Sequence, residues 1–446
     1  MNIRYRIRGG IPLRGEVTMS GSKNAALPLM AASLLCQGET VLTNVPHIRD
    51  TEAMVRILEF LGAQTHFEGG TVRIAAHNVV NRAIPSEFTS RFRASILLMG
   101  PLLGRFGMVE MAYPGGCVLG KRSVQEHVEV FTQLGAKNKS TESVLHLEGE
   151  LCPGRVILPK FSVTATENAL LACAILPGES RIDLAACEPH VQDLCRFLGA
   201  TGAKIEGEGS HTLFVEGRKT LNGVPHRVIA DDLEAGSIIA AVLATRGNVL
   251  LHDIDRERLL FFLETVRRAG GVWEYVEKDQ TIRIRGDKSH LQGIAVETNV
   301  FPGFPTDLLP PLGVVLTQAR GVSRLFERLY ERRMAYLYEL EKMGAHVEFL
   351  NAHQALIIGP TPLKGSIVGS NDIRAGAAMV VAALSAAGET TITDVQYIER
   401  GYDRMHEKLR ALGADIERVT GEEGKEERNK KDHKESFEKS PATLMS

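Results

Sequence analysis

The sequence predicts an α/β fold of two domains, each assembled from three βαβαββ units, and three observations carry that reading. A glycine step closes an amphipathic run six times along the 446 residues, at spacings of roughly 70: Leu61-Gly62-Ala63, Leu134-Gly135-Ala136, Thr201-Gly202-Ala203, Ala269-Gly270-Gly271, Met343-Gly344-Ala345 and Leu412-Gly413-Ala414. Self-similarity at a fixed period marks repeated supersecondary units and makes their corresponding positions comparable. Before each step comes an almost wholly apolar helix-like run and then a strand-like run, the alternation that α/β packing requires. The chain is also too long for one compact core, so the six units divide as three and three.

Within a unit the first helix is apolar on nearly every side, as in Ala169 to Leu176 and Ala375 to Leu384. Such a helix belongs inside a core. The strand that follows, as in Thr40 to Val45 and Thr390 to Val395, alternates apolar with polar residues for part of its length, one face for the core and one for water. The second helix, for example Thr51 to Leu61, is amphipathic and half exposed. A hairpin such as Gln64 to Ala75, turning at Gly69-Gly70, completes the unit. Residues 424–446 are dense in Glu and Lys and poor in large apolar side chains. They cannot bury enough surface to offset their ordering entropy and read as a disordered charged tail.

Net charge is −2 and 44% of residues are hydrophobic, which argues against a nucleic-acid partner or a membrane surface. No apolar run is long enough to span a bilayer and the start Met1 to Arg6 lacks a signal-peptide core, so the reading is a cytoplasmic protein. The six cysteines form no C-x-x-C pair and have no histidine at metal-ligand spacing. Cys36 and Cys173 read as residents of apolar helices, and Cys187 and Cys195 as flanking another. Cys117 differs: three glycines surround it in Pro114 to Gly120, and Lys121 and Arg122 follow it. Cations lower a thiol pKa, so this loop reads as one that presents a reactive Cys117. The stretch Gly115 to Lys121 also fits seven positions of a nucleotide-binding G-x-x-x-x-G-K loop. Its eighth position is Arg122 rather than a Ser or Thr that would hold Mg²⁺, so the match is rejected.

The start of each apolar helix carries polar or charged residues: Lys23-Asn24, Arg93, Glu167-Asn168, Asp231-Asp232 with Glu234, Asp307, and Asp372 with Arg374. Helix N-termini offer free N–H groups and a positive dipole end, which suits anions. Single Asp or Asn residues there serve equally as caps. An Arg opposes the dipole, so Arg93 and Arg374 call for a carboxylate neighbour or an anionic ligand. With Arg122, Arg333 and Arg400 in the following loops, the pattern points to a substrate bearing phosphate and carboxylate groups.

At this point Gly21-Ser22-Lys23-Asn24-Ala25-Ala26-Leu27-Pro28, Phe92-Arg93-Ala94-Ser95-Ile96, Pro114-Gly115-Gly116-Cys117, Thr166-Glu167-Asn168, Phe304-Pro305-Thr306-Asp307, Asp372-Ile373-Arg374-Ala375 and Glu399-Arg400-Gly401-Tyr402 closely resemble the UDP-N-acetylglucosamine 1-carboxyvinyltransferases, an enolpyruvyl transferase family. The resemblance runs from about residue 1 to 420. It implies a two-domain inside-out α/β barrel with the active site between domains 21–230 and 1–20 plus 231–423. It also implies transfer of the enolpyruvyl group of phosphoenolpyruvate to the 3′-hydroxyl of UDP-N-acetylglucosamine, the first committed step of peptidoglycan synthesis, with no metal or organic cofactor.

Carried over by position, the resemblance makes Cys117 the proton donor that forms a covalent phosphoenolpyruvate adduct, and Asp307 the base for the sugar hydroxyl. Lys23, Asn24, Arg122 and Arg400 would hold phosphoenolpyruvate. Arg93, Arg122, Ser123, Val124, Gln125, Glu126, Lys160, Phe161, Ser162, Val163, Asp307 and Leu329 would hold the sugar nucleotide, with Arg333, Asp372 and Arg374 completing the cleft. The residue types suit the chemistry: a weak hydroxyl nucleophile needs a carboxylate to take its proton, and the enol carbon needs an acid. This chain departs from the family pattern with Ser123 for Pro, Glu126 for an apolar residue, Thr164 for Gly, Leu309 for Gln, and Arg332 and Tyr336 for Asn and His. A shikimate-type enolpyruvyl transferase and a non-catalytic UDP-sugar-binding paralogue are the competing expectations.

Overall fold

The structure is a computed structural model that describes residues 3–90, 92–115 and 123–420. Each unit is built on one core helix: Lys23–Ala32, Met99–Phe106, Val163–Ile175, Asp232–Ala244, Leu309–Thr317 and Ile373–Ser385, here the first to sixth. In the sixth, every residue from Arg374 to Leu384 is buried. A helix without a wet face must be covered on all sides. The fourth, fifth and sixth therefore pack on one another, and the second packs on the third.

The apolar side chains form two separate clusters. One runs from Ala25 to Val228, and the other joins Ile3 to Met19 with Ala230 to Ile416. Chain topology explains the join. Ile3–Arg8 lies antiparallel between Glu389–Thr393 and Asp415–Thr420, with Tyr5 opposite both Ile392 and Arg418. Arg14–Thr18 then runs parallel to Asn248–His252 before the chain enters the other cluster. It returns through Pro225–Arg227, parallel to Glu39–Thr43. The two crossings are paired: Ser22 N–H donates to Ile229 O at 2.7 Å and Asp231 N–H to Ser20 O at 2.8 Å.

Among the described residues, five four-stranded sheets, one of three strands and a two-stranded ribbon cover the helices. They are hydrogen-bonded separately and do not close into one continuous barrel. What is inside out is the order of layers, with helices within and strands without. The hairpin Gln64–Glu68 and Thr71–Ala75 turns at Gly69-Gly70. Cys36 departs from expectation: the first helix gives way to a 3₁₀ turn at Ser33–Leu35, so Cys36 begins a short strand paired with Leu221.

The six glycine steps share one geometry. All have positive φ, from +84° at Gly270 to +124° at Gly202. At every step the N–H after the glycine donates to the carbonyl five residues back, as in Ala63 to Leu58 and Ala414 to Leu409. This 6→1 bond closes a helix whose next residue must turn left-handed, which glycine does without a steric penalty.

Candidate active site

Because every unit repeats the same order, both of its helices begin at the same end, and those ends meet in a cleft of about 1940 Å³ between the two clusters. The core-helix starts contribute Lys23, Asn24, Arg93, Thr164, Glu167, Asp231, Asp307, Asp372 and Arg374 to its lining. The second helices, or the 3₁₀ turns that lead into them, contribute Asp50, Glu126, His190, Arg258, Arg333 and Arg400.

Two carboxylates organise the cations. Asp307 accepts from Arg333 Nη2 at 2.7 Å and from Arg374 Nε at 2.9 Å. Burial opposes ionisation of Asp307, but the two guanidinium groups, with Lys23, outweigh it and hold the carboxyl well below the usual carboxylate range. Asp372 lies 3.7 Å from Arg333 Nη1 and caps the sixth core helix, its Oδ1 accepting from the Arg374 and Ala375 N–H groups. Arg374 thus has the carboxylate neighbour that its place at a helix start demands, and its guanidinium also lies 5.1 Å from the Tyr402 ring centroid. Arg333 Nε and Nη1 and Arg374 Nη1 are buried without a hydrogen-bond acceptor among the described residues.

The second organiser is Asp50, whose side chain is 7% exposed. It accepts from Arg400 Nε at 2.8 Å and from Lys23 Nζ at 3.4 Å. Burial pulls the Lys23 ammonium below its ordinary pKa, with Asp50 opposing. The Asp50–Arg400 pair joins the two clusters, as does Arg49 Nη2 to Glu399 Oε2 at 3.0 Å.

On the opposite wall a hydrogen-bond chain fixes a tautomer. Gly100 N–H donates to Asn168 Oδ1 at 2.7 Å, so Asn168 Nδ2 is the donor to Ile96 O and to His127 Nδ1, each at 2.9 Å. His127 Nδ1 is therefore a lone pair and its hydrogen sits on Nε2, 3.2 Å from Thr164 Oγ1. Burial and the Arg93 guanidinium keep the imidazole neutral, with its pKa down to about 3. Arg93 itself donates from Nη2 to Ser123 O at 2.9 Å. Glu126 pairs with Lys160. Burial raises the Glu126 pKa, but that pairing overrides it and leaves the carboxyl below its ordinary range.

Lys160, Phe161, Ser162, Val163, Ser123 and Leu329 also line the cleft, whereas Val124 and Gln125 do not. Cys117 and Arg122 lie outside the described residues. Asp231 is a cap, accepting from the N–H groups of Leu233 and Glu234, and Glu234 pairs with Lys408 away from the cleft. Sequence reasoning missed Asp50 and His190. Burial holds His190 neutral, down to about 4. Both residues occupy second-helix starts, the position of Arg333 and Arg400 in their own units, so comparing that position across the six repeats would have found them.

The family model for EPSP synthase (3-phosphoshikimate 1-carboxyvinyltransferase) matches residues 7–409. A UDP-N-acetylglucosamine 1-carboxyvinyltransferase of Borreliella burgdorferi is 38% identical over 93% of this chain and 99% of its own length. Its counterpart in Bradyrhizobium diazoefficiens is 41% identical over 94% and 98%. Among solved structures, the enolpyruvyl transferase NikO from Streptomyces tendae superposes with a TM-score of 0.85 at 24% identity, covering 94% of this chain and 99% of that one. EPSP synthase from Acinetobacter baumannii superposes with 0.73 at 20% identity, covering 94% and 100%; both share the fold. On the family match and these relatives, the chain belongs to the EPSP synthase family of 1-carboxyvinyltransferases.

Proposed function

We propose that this enzyme transfers the enolpyruvyl group of phosphoenolpyruvate to the 3′-hydroxyl of UDP-N-acetylglucosamine and releases phosphate, the first committed step of peptidoglycan synthesis. The observation that carries the reading is a coincidence of two facts. Relatives named for that activity match 93–94% of the chain at 38–41% identity. The cleft also sets Lys23, Arg333, Arg374 and Arg400 around two carboxylates, with three nitrogens of Arg333 and Arg374 lacking acceptors among the described residues.

Chemically, the sugar oxygen adds to C2 of the enol while C3 gains a proton. The C2–O bond to phosphate then breaks and C3 gives up a proton, restoring the double bond. Asp307 takes the hydroxyl proton and Cys117 supplies the one for C3. Lys23, Asn24, Arg122 and Arg400 hold phosphoenolpyruvate. Arg93, Ser123 to Glu126, Lys160 to Val163 and Leu329 hold the sugar nucleotide, and Arg374, Arg333 and Asp372 complete the site. Preorganised cations of this kind stabilise phosphate and carboxylate charge without reorganising during the reaction. Domain boundaries at 21–230 and at 1–20 with 231–423 are part of the proposal, supported by the two apolar clusters, which divide within two residues of 230, between Val228 and Ala230. No helix among the described residues is long and apolar enough to cross a membrane, and a cytoplasmic setting is part of the proposal.

The test is phosphate release. Purified protein is expected to release phosphate from phosphoenolpyruvate only when UDP-N-acetylglucosamine is present, and Cys117→Ala to abolish turnover at neutral pH with the fold intact. Release with shikimate 3-phosphate instead would assign the shikimate-type reaction. Sugar-nucleotide binding without release would make the chain a non-catalytic binder.

A further inference from the structure

We infer that the Thr164 hydroxyl is a specificity-determining ligand group, donating its hydrogen to a phosphate oxygen of a nucleoside diphosphate-sugar at the start of the third core helix. The inference deepens the proposed function and rests on it.

It follows from counting hydrogens. A threonine hydroxyl has one hydrogen and two lone pairs. Gly100 fixes the Asn168 amide, Asn168 fixes His127 Nδ1 as an acceptor, and His127 Nε2–H fills one lone pair of Thr164 Oγ1. The Thr164 hydrogen cannot point back at a donor. Among the described residues Oγ1 has no other partner, so its hydrogen is left for the half-open cleft that Thr164 lines.

Position selects the acceptor. Thr164 stands in the first turn of Val163–Ile175, a 13-residue helix whose N-terminal N–H groups favour an anion. Lys160 and Arg93 line the same wall. Lys160 is engaged by Glu126, so an incoming phosphate must compete for it. Thr164 offers a hydrogen that no carboxylate contests.

Titration calorimetry on the intact protein with UDP-N-acetylglucosamine and with UDP tests this. Thr164→Val keeps the shape and removes the hydrogen, and Thr164→Ala removes it while leaving room for water. Both are expected to weaken both ligands about tenfold or more, the scale of a hydrogen bond to a charged group. Thr164→Ser should restore wild-type binding, and KM for phosphoenolpyruvate should stay put in all three. Unchanged binding by the Val and Ala variants would overturn the inference. So would a Ser variant no better than Val, which would point to methyl packing, or weakening confined to UDP-N-acetylglucosamine, which would direct the hydrogen at the sugar. A wild type that binds both ligands yet releases no phosphate would remove the transferase reading and leave these arms standing. A wild type that binds neither would sink both.

Discussion

A carboxylate held by two guanidinium groups is a poor base, and Asp307 is so held. Its basicity can rise only when something else takes those donors, as an anionic substrate group bound there would. Asp307→Asn is therefore expected to lower kcat by about 10²–10⁴-fold, the usual worth of a positioned proton acceptor, with a smaller change in KM. Arg400→Ala should instead raise KM for phosphoenolpyruvate, at a cost of about 1.5–3 kcal/mol for one charged contact. Steady-state kinetics separate the two, and a near wild-type kcat in Asp307→Asn would remove it as the base. Glu167 behaves in the opposite sense. Only 2% exposed and with Oε1 unpartnered among the described residues, its carboxyl is pushed well up by burial and by nearby Glu188. The folded state then binds this proton more tightly than the unfolded chain, where the pKa is about 4.3. Stability falls as pH rises above that value toward the folded one. Glu167→Gln does not titrate there, so its melting temperature should gain on wild type as the pH rises above about 4.3 and not below. A gap independent of pH would refute this. At this scale the sequence announced that Arg374 needed a carboxylate neighbour or an anionic ligand, but not which. Asp50 and Arg400 are 350 positions apart, and no local spacing encodes such a pair.

At the scale of elements the repeat was legible because each unit ends in the same way. Glycine takes the left-handed turn after a helix most easily, and all six second helices end on one, although Arg246 makes the same turn after the fourth core helix. The steps are not equally tolerant, however. A Cβ on Gly270 would meet His290 O at 2.0 Å, whereas one on Gly413 meets nothing within 4 Å. Gly413→Ala should cost about 1–2 kcal/mol, the left-handed penalty alone. Gly270→Ala should cost clearly more, because backbone must also move. Denaturant midpoints for the two variants check the order, and equal shifts would mean that the loop at His290 yields freely. What the repeat could not disclose is strand sharing. The sheet made by Glu389–Thr393 and Asp415–Thr420 takes its inner strand from Ile3–Arg8, and among the described residues the sheet that contains Met108–Ala112 has three strands, with an isolated bridge from Ile84 to Met111 where a fourth would run. A period counted along the chain is blind to a strand supplied from its other end.

For the whole molecule, two clusters joined by paired crossings face each other across a cleft with cations on both walls. An anionic ligand touching both walls favours their approach, since it can shift only an equilibrium whose two states it binds unequally. Scattering should therefore show a smaller radius of gyration with UDP-N-acetylglucosamine, and no compaction at saturation would contradict binding across the cleft. The place of Ile3–Arg8 also bears on how the protein is born. Its register pairs Tyr5 with Ile392, and at about 5–20 residues per second a ribosome reaches Ile392 roughly 20–80 s after Tyr5. Throughout that interval the strand waits with both hydrogen-bonding edges bare, the condition in which nascent chains cling to one another. Arg4 and Arg8 are outward and Arg6 half so in the finished sheet. On an unfinished chain the same charges would oppose pairing between sister strands until the proper neighbours are made.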